Sequence, residues 1–188
     1  VNENPIHESF AICEWVAEAF PEAELWPDGA MERARARSFC CEMVAGLQQM
    51  RTHMGCNIFA RVPNWEPNDG TQRDIQRVGE IWRDSLNDSG GPFLFGRFSI
   101  VDCMYFPVLT RFRTYGVGLD SDAETYARKL EAHDSIVKLQ QAALNSPPMP
   151  IYDEEIRRLG GSIDVGRQSE RARRLTRRWS RIFLRELQ

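Results

Sequence analysis

The fold is decided by residues 92–105, which read PFLFGRFSIVDCMY. Ser99 and Asp102 in this stretch have the spacing of a capping box, in which the serine hydroxyl accepts a hydrogen bond from the amide three residues on and the carboxylate reaches back. Apolar residues continue at helical spacing after Asp102, so the stretch predicts a helix from Ile100 to about Tyr115. The spacing alone is common, and only the sequence around it makes the pattern specific.

Helical periodicity also dominates the rest of the chain, and no stretch alternates as a half-buried strand should. The positions of apolar residues, of prolines and of Gly/Asn/Asp clusters predict five further helices. These predicted helices span residues 8–20, 29–53, 71–86, 122–132 and 135–144. The fold class expected from this pattern is all-α.

Composition limits the function classes. The chain has 188 residues, of which 42% are hydrophobic and 27% charged, as in ordinary globular proteins. It contains no run of eighteen apolar residues and no basic-then-apolar leader, which predicts a soluble protein. The five cysteines form no CxxC pair and no Cys/His spacing suited to zinc, so we expect reduced thiols in a cytoplasmic protein and no metal site. The three histidines have no partner spacing and are interpreted as non-catalytic; they are His7, His53 and His133.

The stretch 92–105 resembles the signature that precedes and enters the sixth helix of glutathione transferases. Three more segments resemble the same family in the same order: residues 8–15 (ESFAICEW), residues 25–27 (LWP) and residues 33–38 (RARARS). The resemblance covers about residues 6–144. It implies an all-α bundle of the glutathione transferase C-terminal type over residues 1–150, in which residues 1–20 are the remnant of the end of a thioredoxin-like domain.

The resemblance also implies a ligand site. In the family, a Glu-Ser pair binds the γ-glutamyl end of glutathione, and the matching residues here are Glu8 and Ser9. A carboxylate can pair with the amino group of the peptide, while a hydroxyl and helix-start amides can bind its carboxylate. The alternative is that Ser9 only caps a helix and that Glu8 is solvated.

No catalytic residue can be assigned. The family places its catalytic Ser, Tyr or Cys upstream of this pair, where it lowers the pKa of the glutathione thiol. Only seven residues precede Glu8, so glutathione is expected as a co-substrate only if the thioredoxin-like domain is supplied. For the electrophile pocket, the matching helices suggest Met43, Leu47, Met50 and Arg111, with ordinary core or surface positions as the alternative for each.

Two function classes therefore remain open. The first is glutathione conjugation to a small electrophile, or glutathione-dependent isomerisation or reduction, weak or absent in this chain without the thioredoxin-like domain. The second is a non-catalytic protein-interaction module of the same fold. The resemblance also implies a homodimer, and the module would bind a partner protein. The sequence gives no strong indication of nucleic acid or a membrane as a partner.

The segment 151–188 lies beyond the resemblance and is interpreted as a basic tail. Residues 1–156 contain 14 Lys+Arg and 24 Asp+Glu, a balance of −10, and residues 157–188 contain 10 Arg and 3 acids, a balance of +7. Residues 168–187 predict an extra amphipathic helix with Leu175, Trp179, Ile182 and Phe183 on its apolar side. Such a helix can bind an anionic membrane, nucleic acid or a partner, or pack on the acidic body of its own chain, the arrangement we favour.

Overall fold

The computed structural model describes residues 4–147 and 149–164. Within these residues the chain forms eight α-helices, one 3-10 turn at Pro21–Ala23 and two short strands. The helices are α1 (Ser9–Ala19), α2 (Ala30–Ala45), α3 (Gln48–His53), α4 (Asp69–Ser89), α5 (Ile100–Tyr115), α6 (Ser121–Glu131), α7 (Asp134–Leu144) and α8 (Pro150–Arg158), and the strands are β1 (Ala60–Arg61) and β2 (Ser162–Ile163). The fold is all-α, as the sequence predicts.

Helix α5 is the centre of the bundle, and twelve of its sixteen residues are buried. Ser99 and Asp102 form a capping box at its start. The Asp102 carboxylate accepts from the Ser99 amide at 2.9 Å and from the Leu94 amide at 3.2 Å. The Ser99 hydroxyl donates to the same carboxylate at 3.1 Å. The buried start of α5 therefore has hydrogen-bond partners for its amides. Buried amides without partners would cost free energy.

Trp82 of α4 fills the space between α4, α5 and α6. Its ring centroid lies 5.2 Å from that of Tyr126, 5.5 Å from that of Phe112 and 6.4 Å from that of Tyr105. These tilted and edge-on arrangements are the ones that aromatic rings prefer. Helix α4 begins where Asn68 caps it, with the Thr71 amide donating to the Asn68 side chain at 2.8 Å.

The single helix predicted over residues 29–53 is wrong. Helix α2 ends at Ala45, where the Gly46 amide closes the last turn on the Glu42 carbonyl at 2.8 Å. Leu47 then adopts a left-handed conformation with φ 54°, and α3 starts in a new direction. Leu47 is buried, so its packing holds a backbone conformation that leucine rarely takes. The longest described helix is instead α4, with 21 residues.

Residues 150–164 pack on the helical bundle. Strand β2 pairs antiparallel with β1, placing Ala60 opposite Ile163 and Arg61 opposite Ser162. The ladder is fixed to α5 because the Val62 amide donates to the Thr114 carbonyl at 2.8 Å. Ile156 of α8 lies in the core. The first part of the segment interpreted as a tail thus adds a helix and a strand to the body. The predicted basic helix over residues 168–187 lies outside the described residues.

Candidate functional site

Glu8 and Ser9 lie at the exposed start of α1. Glu8 is the N-cap residue, and its carboxylate accepts from the Phe10 amide at 2.9 Å and from the Ser9 hydroxyl at 3.1 Å. The Phe10 hydrogen bond is the main cause that lowers the pKa of Glu8, so its carboxyl group is ionised at neutral pH. Glu8 has φ 80°, a strained conformation for any residue except glycine. Strained backbone conformations persist where the surrounding structure imposes them, and they are enriched at ligand sites.

Helix α1 holds this pair against the rest of the domain. On its inner side, Phe10 packs edge-on against Trp26 with ring centroids 6.0 Å apart. The Arg37 guanidinium of α2 makes two hydrogen bonds to the Glu14 carboxylate, at 3.0 and 2.9 Å. The outer side of α1 is apolar but uncovered, since Ile12 is 44% and Trp15 37% exposed. A helix that is apolar on both sides is usually covered on both.

An open stripe runs along α5. Cys103, Pro107 and Arg111 follow one another at four-residue spacing and therefore lie on one face of the helix. Cys103 is exposed, and the other two are partly exposed. Desolvation is the main cause that raises the pKa of Cys103 to about 11. The four-residue spacing of the stripe can be read from the sequence.

Three of the four residues suggested for an electrophile pocket lie in or against the core. Leu47 and Met50 are buried in the core, and Met43 packs against the core while remaining partly exposed. These positions correspond to the core alternative that the sequence left open. Arg111 alone belongs to the open stripe. Its Nε donates to the Met54 carbonyl at 2.8 Å and its Nη1 to the Pro107 carbonyl at 3.0 Å.

Four of the cysteines have thiols whose pKa values are raised. Desolvation is the largest of the causes that raise the pKa values of the Cys13, Cys40, Cys56 and Cys103 thiols, which disfavours their reactive thiolate forms. His133 has a structural role: it accepts from the Ser135 amide at 3.3 Å and stacks on Phe98 with ring centroids 3.6 Å apart.

The described part of the chain holds no group of three or more His, Cys, Asp or Glu side chains that could bind a metal ion. None of its helices combines the length and the apolar character needed to cross a membrane.

A groove lies between α4, the end of α5 and the loop that leads to α6. This groove has a volume of about 300 Å³ and is lined by residues of all three elements, among them Gly79, Trp82, Phe112 and Leu119. Sequence reasoning missed it. The one local signal is the apolar loop of Val117, Gly118 and Leu119, which the sequence places between two helices.

Residues 28–133 match the family model of the glutathione S-transferase C-terminal domain, and this match covers more than half of the chain. The chain belongs to the glutathione S-transferase family. The matched part of this transferase domain contains α2 to α6, the capping box and Arg111. Glu8 and Ser9 precede the match, and α7 and α8 follow it. A search among curated proteins gives no significant match.

Proposed function

We propose that this chain forms the helical half of a glutathione transferase site. In this proposal a thioredoxin-like domain activates the glutathione thiol, and the helical domain binds the γ-glutamyl end and presents a small electrophile. The observation that carries the proposal is that a domain of the transferase family presents the Glu8-Ser9 pair at the exposed start of α1 and an open stripe on α5. In this proposal glutathione lies at the start of α1 and the electrophile lies on the stripe.

The geometry at the start of α1 suits the γ-glutamyl group. The ionised Glu8 carboxylate can pair with the ligand ammonium, and the Ser9 hydroxyl can turn from Glu8 to the ligand carboxylate. The helix dipole also favours an anion at this end of α1. In a conjugation the glutathione sulfur would form a bond to the electrophilic carbon as the leaving group departs with its electron pair. The base that takes the thiol proton would belong to the thioredoxin-like domain.

The outer face of α1 supports the same proposal. Ile12 and Trp15 expose apolar surface one helical turn apart, beside the proposed glutathione site. Contiguous exposed apolar surface marks a contact with another protein unit. A thioredoxin-like domain lying there would cover this face and complete the site.

Titration of glutathione into the full chain tests the proposal. Because this chain supplies only part of the contacts, we expect a dissociation constant on the order of millimolar, followed by chemical-shift changes in NMR. Glu8→Gln and Ser9→Ala should weaken binding, whereas Glu18→Gln, an exposed carboxylate of the same helix, should not. Equal binding by Glu8→Gln and the parent chain would refute the assignment of this pair.

The non-catalytic interaction module is the second candidate, and the apolar outer face of α1 favours it as well. Residues 4–32 contain seven Asp and Glu residues and no Lys or Arg, so the segment that carries this face is acidic. A module of this kind would associate with a partner or with a second copy without binding glutathione. Sedimentation velocity of the parent chain and of Trp15→Glu, together with the glutathione titration, separates the two candidates.

A further inference from the structure

Arg111 is a partly buried cation without a carboxylate partner. Among the described residues, no Asp or Glu forms an ion pair with it. Desolvation is the main cause that lowers its pKa, so the loss of water contact is not compensated by a neighbouring anion. Burying a charge is costly unless an opposite charge accompanies it.

Arg113, two residues further on the same helix, shows the usual arrangement. Its guanidinium lies 2.7 Å from Glu124 and 2.8 Å from Glu131, and all three side chains are mostly buried. The helix α5 therefore carries two desolvated arginines, one with two carboxylates and the other with none. This difference indicates that the partner of Arg111 is not part of the described protein.

The guanidinium of Arg111 is held in place without an anion. Met54 and Pro107 accept from Nε and Nη1 through their backbone carbonyls, while Nη2 makes no hydrogen bond within the described residues. A guanidinium fixed in this way loses little conformational entropy when it binds a planar carboxylate. The free nitrogen belongs to the residue that ends the open stripe of Cys103, Pro107 and Arg111.

Further polar groups accompany this nitrogen. The Tyr115 hydroxyl is buried and forms no hydrogen bond of ordinary geometry within the described residues. It lies 3.6 Å from the position that a Cβ on Gly55 would take. Arg111 and Tyr115 lie one turn apart on α5, and they contact the consecutive residues Met54 and Gly55. One carboxylate lies nearby, that of Glu155: its Oε2 is 3.7 Å from the same Cβ position, and its Oε1 is 3.9 Å from Arg158. It forms no ion pair with Arg111.

From this cluster we infer that Arg111, assisted by Tyr115, binds a carboxylate group on the electrophilic substrate. The inference rests on the proposed function, because it assigns the substrate class of the same site. The apolar part of such a substrate would lie along Pro107 and Cys103, toward the start of α1. The substrate is then a small apolar acid rather than a neutral molecule.

A matched pair of ligands tests this inference on the full chain without glutathione. The probes are 4-phenylbutanoate and its neutral amide, 4-phenylbutanamide, and binding is followed by NMR titration. We expect the parent chain to bind the carboxylate about tenfold more tightly than the amide. Arg111→Gln should remove this preference, and Tyr115→Phe should reduce it, whereas Arg73→Gln, an exposed arginine of α4, should keep it.

Several outcomes would overturn the inference: no preference in the parent chain, a preference that survives in Arg111→Gln, or an unchanged preference in Tyr115→Phe if Arg111→Gln does not fold. A glutathione titration of Arg111→Gln identifies the source of the carboxylate. An unchanged glutathione affinity supports a substrate carboxylate, and a weakened one assigns Arg111 to glutathione itself and overturns the inference. Failure of the Glu8 and Ser9 variants would leave the probe preference intact, so the two proposals fail separately.

Discussion

Asp102 is the residue on which the centre of the domain depends. Its carboxyl group is buried, and desolvation raises its pKa to about 6 although the Leu94 and Ser99 amides donate to it. The hydrogen bonds therefore do not fully compensate for the loss of water. The cap that starts α5 is a group that titrates close to neutral pH.

The stability of the domain should depend on pH because of this titration. Because the folded-state pKa of Asp102 lies above its ordinary value of 3.8, the folded protein binds a proton more tightly than the unfolded chain between about pH 4 and 6. The contribution of Asp102 to stability is therefore largest below pH 4 and is lost as the pH rises through 6. Denaturant melts of the parent chain and of Asp102→Asn should differ by a pH-dependent amount on the order of 2–3 kcal/mol over this window. A constant difference would contradict the assignment.

Truncation of the capping box gives an independent measure of the same site. Ser99→Ala should lower the free energy of unfolding by about 1–2 kcal/mol. Asp102→Ala should cost more, because it also removes the acceptor of the Leu94 amide. The double variant should lose less than the sum of the two, since the side chains act on each other. Additive losses in denaturant melts would show that they act separately.

The contact between β2 and β1 leaves so little space at Gly161 that a single substitution can test it. A Cβ on Gly161 would lie 2.7 Å from the Arg61 carbonyl oxygen and within 2.9 Å of the Val62 and Ile156 side chains. Gly161→Ala should therefore force β2 away from β1 and lower the free energy of unfolding by about 1–3 kcal/mol.

Gly79 of α4 provides the matched control, because a Cβ there would meet nothing within 4 Å. Gly79→Ala should raise stability by about 0.5–1 kcal/mol through helix propensity. Thermal melts of both variants decide whether residues 150–164 stabilise the body. If Gly161→Ala melts like the parent chain, the ladder contributes nothing to stability.

The helices could be predicted from the sequence wherever local signals and packing agree. The capping box, the Asn68 cap and the Gly116 end of α5 are formed by residue types that favour helix ends. The break after α2 could not be predicted, since Leu47 adopts a conformation that its own propensity opposes. The two-residue ladder is too short for an alternating pattern. Of the proposed site, the family resemblance suggested Arg111 and the Glu8-Ser9 pair, but the isolation of Arg111 from carboxylates depends on contacts between distant elements.

At the scale of the whole molecule, charge is divided unevenly along the chain. Residues 165–188 contain eight Arg and two Glu, while residues 4–32 contain seven acids and no Lys or Arg. If the tail packs on the acidic body, deletion of residues 165–188 should lower the melting temperature by several degrees. Deletion must start after β2, because removal from residue 157 would also remove the ladder. A truncated chain with an unaltered melting curve would show that the tail serves a separate purpose, such as recruitment to an anionic surface.

The ladder between β1 and β2 also sets an order of events during synthesis. It joins Ala60 to Ile163, so it cannot form until about a hundred further residues have left the ribosome. The core that α2, α4, α5 and α6 build around Trp82 is complete in sequence well before that point. Because the N-terminal part of a chain emerges from the ribosome first, the helices can assemble before β2 is available. The ladder then forms on a bundle that has already folded. A released chain that ends between α7 and α8 would then contain the helical core with β1 still unpaired.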